Sequence, residues 1–118
     1  MTATKLGSTL IASSTMTAGQ ANATASFNMS TYYGALVTGQ IVNGGTGPTV
    51  ASTVTVNTAY DNSTWIQFAQ MTASATANAT SPFAFSLPAA AMFVQVTIGG
   101  NTGQSVTVLA DVQQLIGI

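Results

Sequence analysis

An unbroken alternation of apolar and polar side chains over residues 21–29 (ANATASFNM) constrains the fold more than any other feature of the sequence. Successive side chains of a β-strand point to opposite faces, so this pattern predicts a strand with one apolar face. The same period of two recurs along the chain, and no ten-residue stretch combines helical periodicity with capping residues. The sequence therefore predicts an all-β protein.

Alternating or β-branched segments, separated by turn residues, predict about eight short antiparallel strands. They cover residues 8–16, 21–29, 35–42, 50–57, 65–71, 73–79 with its continuation 83–87, 94–98 and 106–112. The glycine-rich residues 99–103 predict a hairpin loop before the last strand. Short strands at regular spacing favour a single β-sandwich or jelly-roll-like domain over residues 1–118, with residues 1–7 as a candidate extended N-terminal arm.

The predicted core consists of apolar side chains on the alternating apolar faces of these strands. They are Phe27, Val54, Val56, Trp65, Phe68, Phe85, Val94, Val96, Val106 and Val108. A chain of 118 residues is long enough to enclose one such core and too short for two.

Charged and catalytic side chains are almost absent. Lys5, Asp61 and Asp111 are the only charged side chains, and the sequence has no His and no Cys. This inventory excludes Ser–His–Asp and Cys–His sites and the usual ligands of transition metals. One lysine cannot neutralise a phosphate backbone, and the longest apolar run, 89–94, is far below the roughly 20 residues of a membrane-spanning helix. We therefore expect no enzyme, no cofactor, no metal, and no nucleic-acid or membrane partner.

The low charge also bears on assembly. Charged residues make up 3% of the chain, against about 25% in average proteins, so little electrostatic repulsion opposes contact between copies. Disordered chains combine low hydrophobicity with high charge, which is the reverse of this composition. The composition indicates a subunit that works inside an assembly, and the absence of a signal-peptide pattern at the start favours synthesis in a cytoplasm.

Aromatic residues supply the candidate contact sites. Tyr60 and Trp65 flank a turn and could form a stacking platform for a sugar, although a turn followed by a core tryptophan explains the same pattern more simply. Tyr32 and Tyr33 could form an exposed adhesive pair. Equally, one ring could lie in the core and the other at a subunit contact.

Three segments resemble a group of small β-sandwich virion proteins of tailed bacteriophages: residues 10–13 (LIAS), 61–69 (DNSTWIQFA) and 93–100 (FVQVTIGG). The resemblance implies a head-decoration, or cement, subunit on the surface of the phage head, made in the host cytoplasm. The implied partners are the major capsid protein and copies of this chain, with a homotrimer expected by analogy.

Two other functions remain open at the level of the sequence. One is a tail or fibre module that binds a host-surface glycan through Tyr60 and Trp65. The other is a self-associating cell-surface or pilus-like subunit. Copy number separates cement from a fibre module, because cement requires hundreds of copies per particle and a fibre only a handful, whereas a secretion signal in the full gene would favour the pilus-like subunit.

Overall fold

Eight antiparallel strands form two four-stranded sheets in the computed structural model, which describes residues 4–18 and 23–117. The strands are β1 (Thr4–Met16), β2 (Ala23–Asn28), β3 (Ala35–Asn43), β4 (Thr53–Ala59), β5 (Ile66–Thr72), β6 (Thr80–Leu87), β7 (Phe93–Gly99) and β8 (Val106–Gly117). The predicted all-β sandwich of about eight strands is confirmed.

The strand order follows a nested pattern. One sheet has the order β1-β8-β3-β6, and the other has the order β2-β7-β4-β5. The first strand pairs with the last, β2 with β7, β3 with β6, and β4 with β5. The chain thus folds back on itself as one long antiparallel hairpin that is rolled into two sheets, which is a jelly roll.

The space between the sheets is filled by the inward-facing residues of both. Of the predicted core, six valines are buried: Val54, Val56, Val94, Val96, Val106 and Val108. Phe27 and Phe85 are half-buried against this cluster, and Trp65 is half-buried. The sequence prediction omitted the buried residues Ile11, Met29, Val37, Ile41, Phe83, Leu87, Ile98 and Val112.

Phe68 was predicted in the core, and this prediction is wrong, because its side chain is 46% exposed. The pairing of β4 with β5 shifts between Val56 and Asn57, where Val56 pairs with Ala69 and Asn57 with Gln67. Phe68 is therefore the extra residue of a β-bulge, which redirects its side chain. Ala69 takes the inward position opposite Val56 instead.

Two segments differ from their predicted structure. Residues 73–79 form a loop rather than a strand. Residues 99–103 do not close a hairpin, because β7 and β8 belong to different sheets and the loop crosses between them. Local sequence could not distinguish a hairpin turn from a crossing loop, since glycine and asparagine suit both.

The predicted N-terminal arm is also revised. Residues 4–7 lie inside the strand pattern, as the first residues of β1, where Thr4 pairs with Gly117 and Lys5 with Leu115. Residues 1–3 of that arm, and residues 21 and 22 of the alternating segment, lie outside the described residues.

Candidate interaction surface

The two ends of the jelly roll are built from different connections. At one end lie the connections 29–34, 60–65 and 88–92, together with the first residues of β1 and the last residues of β8. We call this the apolar end. At the other lie the connections 44–52, 73–79 and 100–105, which we call the polar end.

Exposed large hydrophobic side chains concentrate at the apolar end. Within residues 4–18 and 23–117, they are Leu6, Tyr33, Leu36, Tyr60, Ile66, Phe68 and Met92 at the apolar end, and Val50 at the polar end. Scattered exposed hydrophobic residues are normal in soluble proteins, whereas a cluster marks a contact site. The clustering identifies the apolar end as the candidate interaction surface.

A groove of about 340 Å³, the Tyr60 groove, opens at this end. Its lining includes Ile66 and Phe68 at the start of β5 and Pro88 and Met92 of the connection 88–92. The bulge in β5 places Phe68 beside the groove rather than in the core. Tyr60 projects next to it and is 75% exposed.

A second groove of about 490 Å³, the Tyr33 groove, lies at the same end. Its lining includes Lys5, Tyr33, Leu36, Ser86, Gln113 and Leu115. Tyr33 donates its backbone N–H to the carbonyl of Leu115 at 2.8 Å, which fixes the connection 29–34 against β8. The side chain of Tyr33 is 48% exposed and shares the lining of this groove with Gln113 and Lys5.

The four aromatic residues that the sequence analysis proposed as contact sites have different positions in the structure. Tyr33 and Tyr60 each line a groove, whereas Tyr32 packs against the core and Trp65 lines neither groove. Tyr60 is joined in its groove by Ile66 and not by Trp65. Whether any of the four contacts a glycan or a protein stays a prediction. Ile66 and Phe68 were missed as surface residues because they lie in a predicted strand, and Met92 because it lies in the apolar run 89–94.

The turn that precedes β5 is held by a single carboxylate. Asp61 Oδ1 accepts hydrogen bonds from the backbone N–H groups of Ser63 (3.0 Å) and Thr64 (2.7 Å), and Oδ2 accepts one from the Thr64 hydroxyl (2.8 Å). Asn62 adopts the left-handed conformation, with φ of 58°, which asparagine tolerates. The hydrogen bonds from Thr64 lower the pKa of Asp61 below its ordinary value of 3.8.

The polar end is closed by two buried asparagines. Asn43 donates its side-chain N–H groups to the carbonyls of Ser74 (2.7 Å) and Thr76 (2.8 Å), and so pins the loop 73–79 to the end of β3. Asn101 donates to the carbonyls of Met16 (3.1 Å) and Gln104 (2.9 Å). These contacts satisfy backbone groups that a strand would have paired.

Acidic and metal-binding side chains do not cluster in the described part of the chain. Among residues 4–18 and 23–117, no three residues of the types His, Cys, Asp and Glu come together as a metal site would need. The two aspartates are separated, because Asp61 lies in the β4–β5 turn and Asp111 lies within β8 opposite Thr38. No helix in this described part of the chain is long and apolar enough to cross a membrane.

No protein-family model and no curated protein sequence matches this chain. Solved structures are similar to it in fold. A Bacillus endospore appendage protein, from a family of disulfide-linked pili, is 17% identical with a TM-score of 0.59, over 99% of this chain and 93% of its own. A protein of infectious bursal disease virus, Gx strain, is 14% identical with a TM-score of 0.57. That match covers 99% of this chain but 34% of the viral chain, so this chain spans about a third of the viral protein.

Another match is the K1 cleaved adhesin domain of Lys-gingipain from Porphyromonas gingivalis. It is 13% identical with a TM-score of 0.50, over 94% of this chain and 97% of that one. At these identities the likeness concerns the fold. The jelly roll of this chain is thus shared with subunits of a pilus and of a virus particle and with an adhesin domain.

Proposed function

We propose that this chain is a non-enzymatic structural subunit of a virion, and that it decorates the phage head by seating its apolar end on the shell. The observation that carries the proposal is the concentration of exposed hydrophobic side chains at one end of a nearly uncharged jelly roll. The fold, which also occurs in a virus particle and a pilus, is compatible with a role in repeated assemblies.

A decoration subunit stabilises a shell through the apolar surface area that it buries against the shell proteins. Apolar burial contributes about 25 cal/mol per Å² before the costs of association, and many copies act on one particle. A subunit that covers a junction between shell proteins adds area where internal pressure separates them. Each contact can be modest, so the apolar end does not need the size of a permanent interface.

The test is co-sedimentation of the purified chain with phage heads from which it has been stripped. Tyr60→Ser combined with Ile66→Thr removes apolar area from the Tyr60 groove, and we expect at least a tenfold loss of binding, the equivalent of about 1.4 kcal/mol. The matched control is Val50→Thr, because Val50 is 53% exposed but lies at the polar end. Equal binding by all three proteins would contradict the proposed orientation.

Copy number gives an independent test. Quantitative mass spectrometry of purified particles should find hundreds of copies per head. A handful of copies, or recovery with tails only, would overturn the decoration function and favour a fibre module. The Tyr33 groove is the observation that favours this second candidate, because a lining that includes an exposed aromatic residue together with residues bearing amide and hydroxyl groups suits a sugar.

A further inference from the structure

The four edge strands of the jelly roll differ in how they are protected from pairing with another chain. An exposed edge carries unpaired N–H and C=O groups, and proteins protect it with proline, charge, bulges or a covering segment. The edges are β1 and β6 in one sheet, and β2 and β5 in the other. The sequence and the register of each edge show which protection it has.

Proline protects β6. The N–H of Asn43 donates to the carbonyl of Ala79 (2.9 Å), which fixes the alternation of hydrogen-bonded positions along β3 and β6. By that alternation Pro82 stands at a position that faces away from β3, where its missing N–H interrupts the free edge. Strand β1 is protected differently, by Lys5 and by three register shifts in its pairing with β8.

The other sheet has less protection. In β5, the bulge at Phe68 interrupts the edge near its start. In β2, all six residues pair with β7 in an unbroken register, and the strand (ATASFN) contains no charge and no proline. Within residues 4–18 and 23–117, β2 is thus the one edge that has no proline, no charge and no bulge.

The free backbone groups of β2 can be assigned from one contact. Met29 donates its N–H to the carbonyl of Met92 at 2.6 Å, just beyond the end of β2. Because hydrogen-bonded positions alternate along an antiparallel pair, every second residue of β2 directs its N–H and C=O away from β7. These residues are Thr24, Ser26 and Asn28, and their side chains are exposed and short.

We infer that the β2 edge binds the β2 edge of a second copy, antiparallel, about a two-fold axis through Ser26. In this register Ser26 faces its own counterpart, and Thr24 faces Asn28 of the other copy. All three positions then exchange backbone hydrogen bonds. The two sheets join into one continuous eight-stranded sheet, which is strand addition between identical partners.

Two observations favour a second copy as the occupant. The edge carries no charge, so two copies of it can approach each other without electrostatic repulsion. In addition, Phe27 is only half-buried in the isolated chain, although it points towards the core. The two-fold register places Ala25 of the second copy opposite Phe27, which covers the exposed part of the ring.

The inference deepens the proposed function, since it names a surface through which copies of a structural subunit meet. Stable protein interfaces bury about 1,200 Å² or more, and a six-residue edge buries less than that. We therefore expect a weak dimer, which forms only as the protein concentration rises. This predicts two-fold self-association in place of the homotrimer expected from sequence. Self-association is measured on the isolated chain, so it is tested separately from attachment to heads.

The experiment uses the absence of natural cysteine. Ser26→Cys should form a disulfide-linked dimer under mild oxidation, because the Cα atoms of a hydrogen-bonded antiparallel pair lie about 5.5 Å apart, within disulfide range. The matched control is Ala84→Cys, at an exposed outward position of the β6 edge next to Pro82, which should stay monomeric. A mixture of Thr24→Cys and Asn28→Cys should cross-link to each other more than to themselves.

Light scattering of the cysteine-free protein completes the test. The wild-type chain should move from one chain mass to two as concentration rises, and Ser26→Lys should raise the dissociation constant by about tenfold or more, since it places two like charges together. Ser26→Pro should also raise the dissociation constant, but without adding a charge. The backbone N–H that proline removes at position 26 makes no hydrogen bond to β7, so the fold of the single chain should not depend on it. A constant monomer mass, a trimer mass, or preferred cross-linking of Ser26→Cys to Gln70→Cys on β5 would overturn the inference.

Discussion

The polar and apolar ends of this jelly roll differ in how their connections are held and in which side chains they expose. At the polar end, buried asparagines tie connections to the strands, and backbone hydrogen bonds tie connections to one another, for example Thr49 N–H to the Thr102 carbonyl at 2.7 Å. At the apolar end, the connections leave aromatic and aliphatic side chains in solvent beside two grooves. The connections of one end are tied together within the chain, and the other end leaves most of the exposed large hydrophobic side chains in solvent.

This difference separates stability from binding. A loop that is held by hydrogen bonds within the chain supports the fold, so substitutions there should act on folding. Exposed hydrophobic side chains contribute little to folding, because unfolding changes their exposure least. Substitutions at the apolar end should therefore act on binding while leaving the free energy of unfolding almost unchanged. The predictions below test this division.

The largest effect should come from Gly47→Ala at the polar end. A Cβ atom at Gly47 would collide with the backbone carbonyl of Ala75, and a backbone atom cannot move aside as a side chain can. We expect a loss of about 3 kcal/mol in the free energy of unfolding, at the upper range for overpacking. Gly45→Ala is the control, since a Cβ there meets nothing within 4 Å. Urea unfolding should separate the two variants, and equal midpoints would disprove the close approach.

A smaller loss should follow from Asn43→Ala. It removes both hydrogen bonds to the loop 73–79 and leaves the carbonyls of Ser74 and Thr76 without that partner, at a cost of about 2 kcal/mol. The comparison is Asn57→Ala, which loses one 3.2 Å hydrogen bond to Gln95 on the sheet surface. If both variants unfold at the same urea concentration, Asn43 does not hold the polar end.

These two positions also show what the sequence could predict. Alternation identified the sandwich and the six buried valines, because a period of two depends only on neighbouring residues. Residues 73–79 alternate just as well, yet they form a loop, since Asn43, 31 residues away from Ser74, binds their carbonyls. The pattern of residues within 73–79 gives no indication of this contact with Asn43.

The candidate surface was predicted only in part for the same reason. Tyr33 stood out as one of an aromatic pair and Tyr60 as an aromatic residue beside a turn, and both line grooves. Phe68 could not be recognised as a surface residue, because its exposure depends on a bulge between two strands. The grooves themselves arise where connections from different strands meet, which the order of residues along one strand does not show.

At the apolar end we expect almost no change in stability. Ile66→Thr should shift the free energy of unfolding by about 0.5 kcal/mol or less, because the side chain is 63% exposed. The counterpart is Val96→Thr on the buried face of β7, where a hydroxyl enters the core at a cost of about 1–3 kcal/mol. A loss at Ile66 as large as that at Val96 would mean that the apolar end already supports the fold by itself.

The smallest effect concerns acid and the turn at Asp61. Because hydrogen bonds to the carboxylate lower its pKa in the folded chain, the turn gains stability from the charged form above the ordinary value of 3.8. That contribution is lost as the pH falls through the lowered pKa. Since Asp61 is fully exposed, the change should be local, and the fold should persist through it.

Trp65, the single tryptophan, follows Thr64 of this turn and so reports on it. Its fluorescence should stay constant on acidification until the pH is below 3.8, and then change. Asp61→Asn should abolish this transition, because the amide oxygen still accepts hydrogen bonds but no longer titrates in this range. Asp111→Asn is the control and should leave the transition in place. A transition centred above 3.8, or one that survives in Asp61→Asn, would show that Asp61 does not govern the acid response of the apolar end.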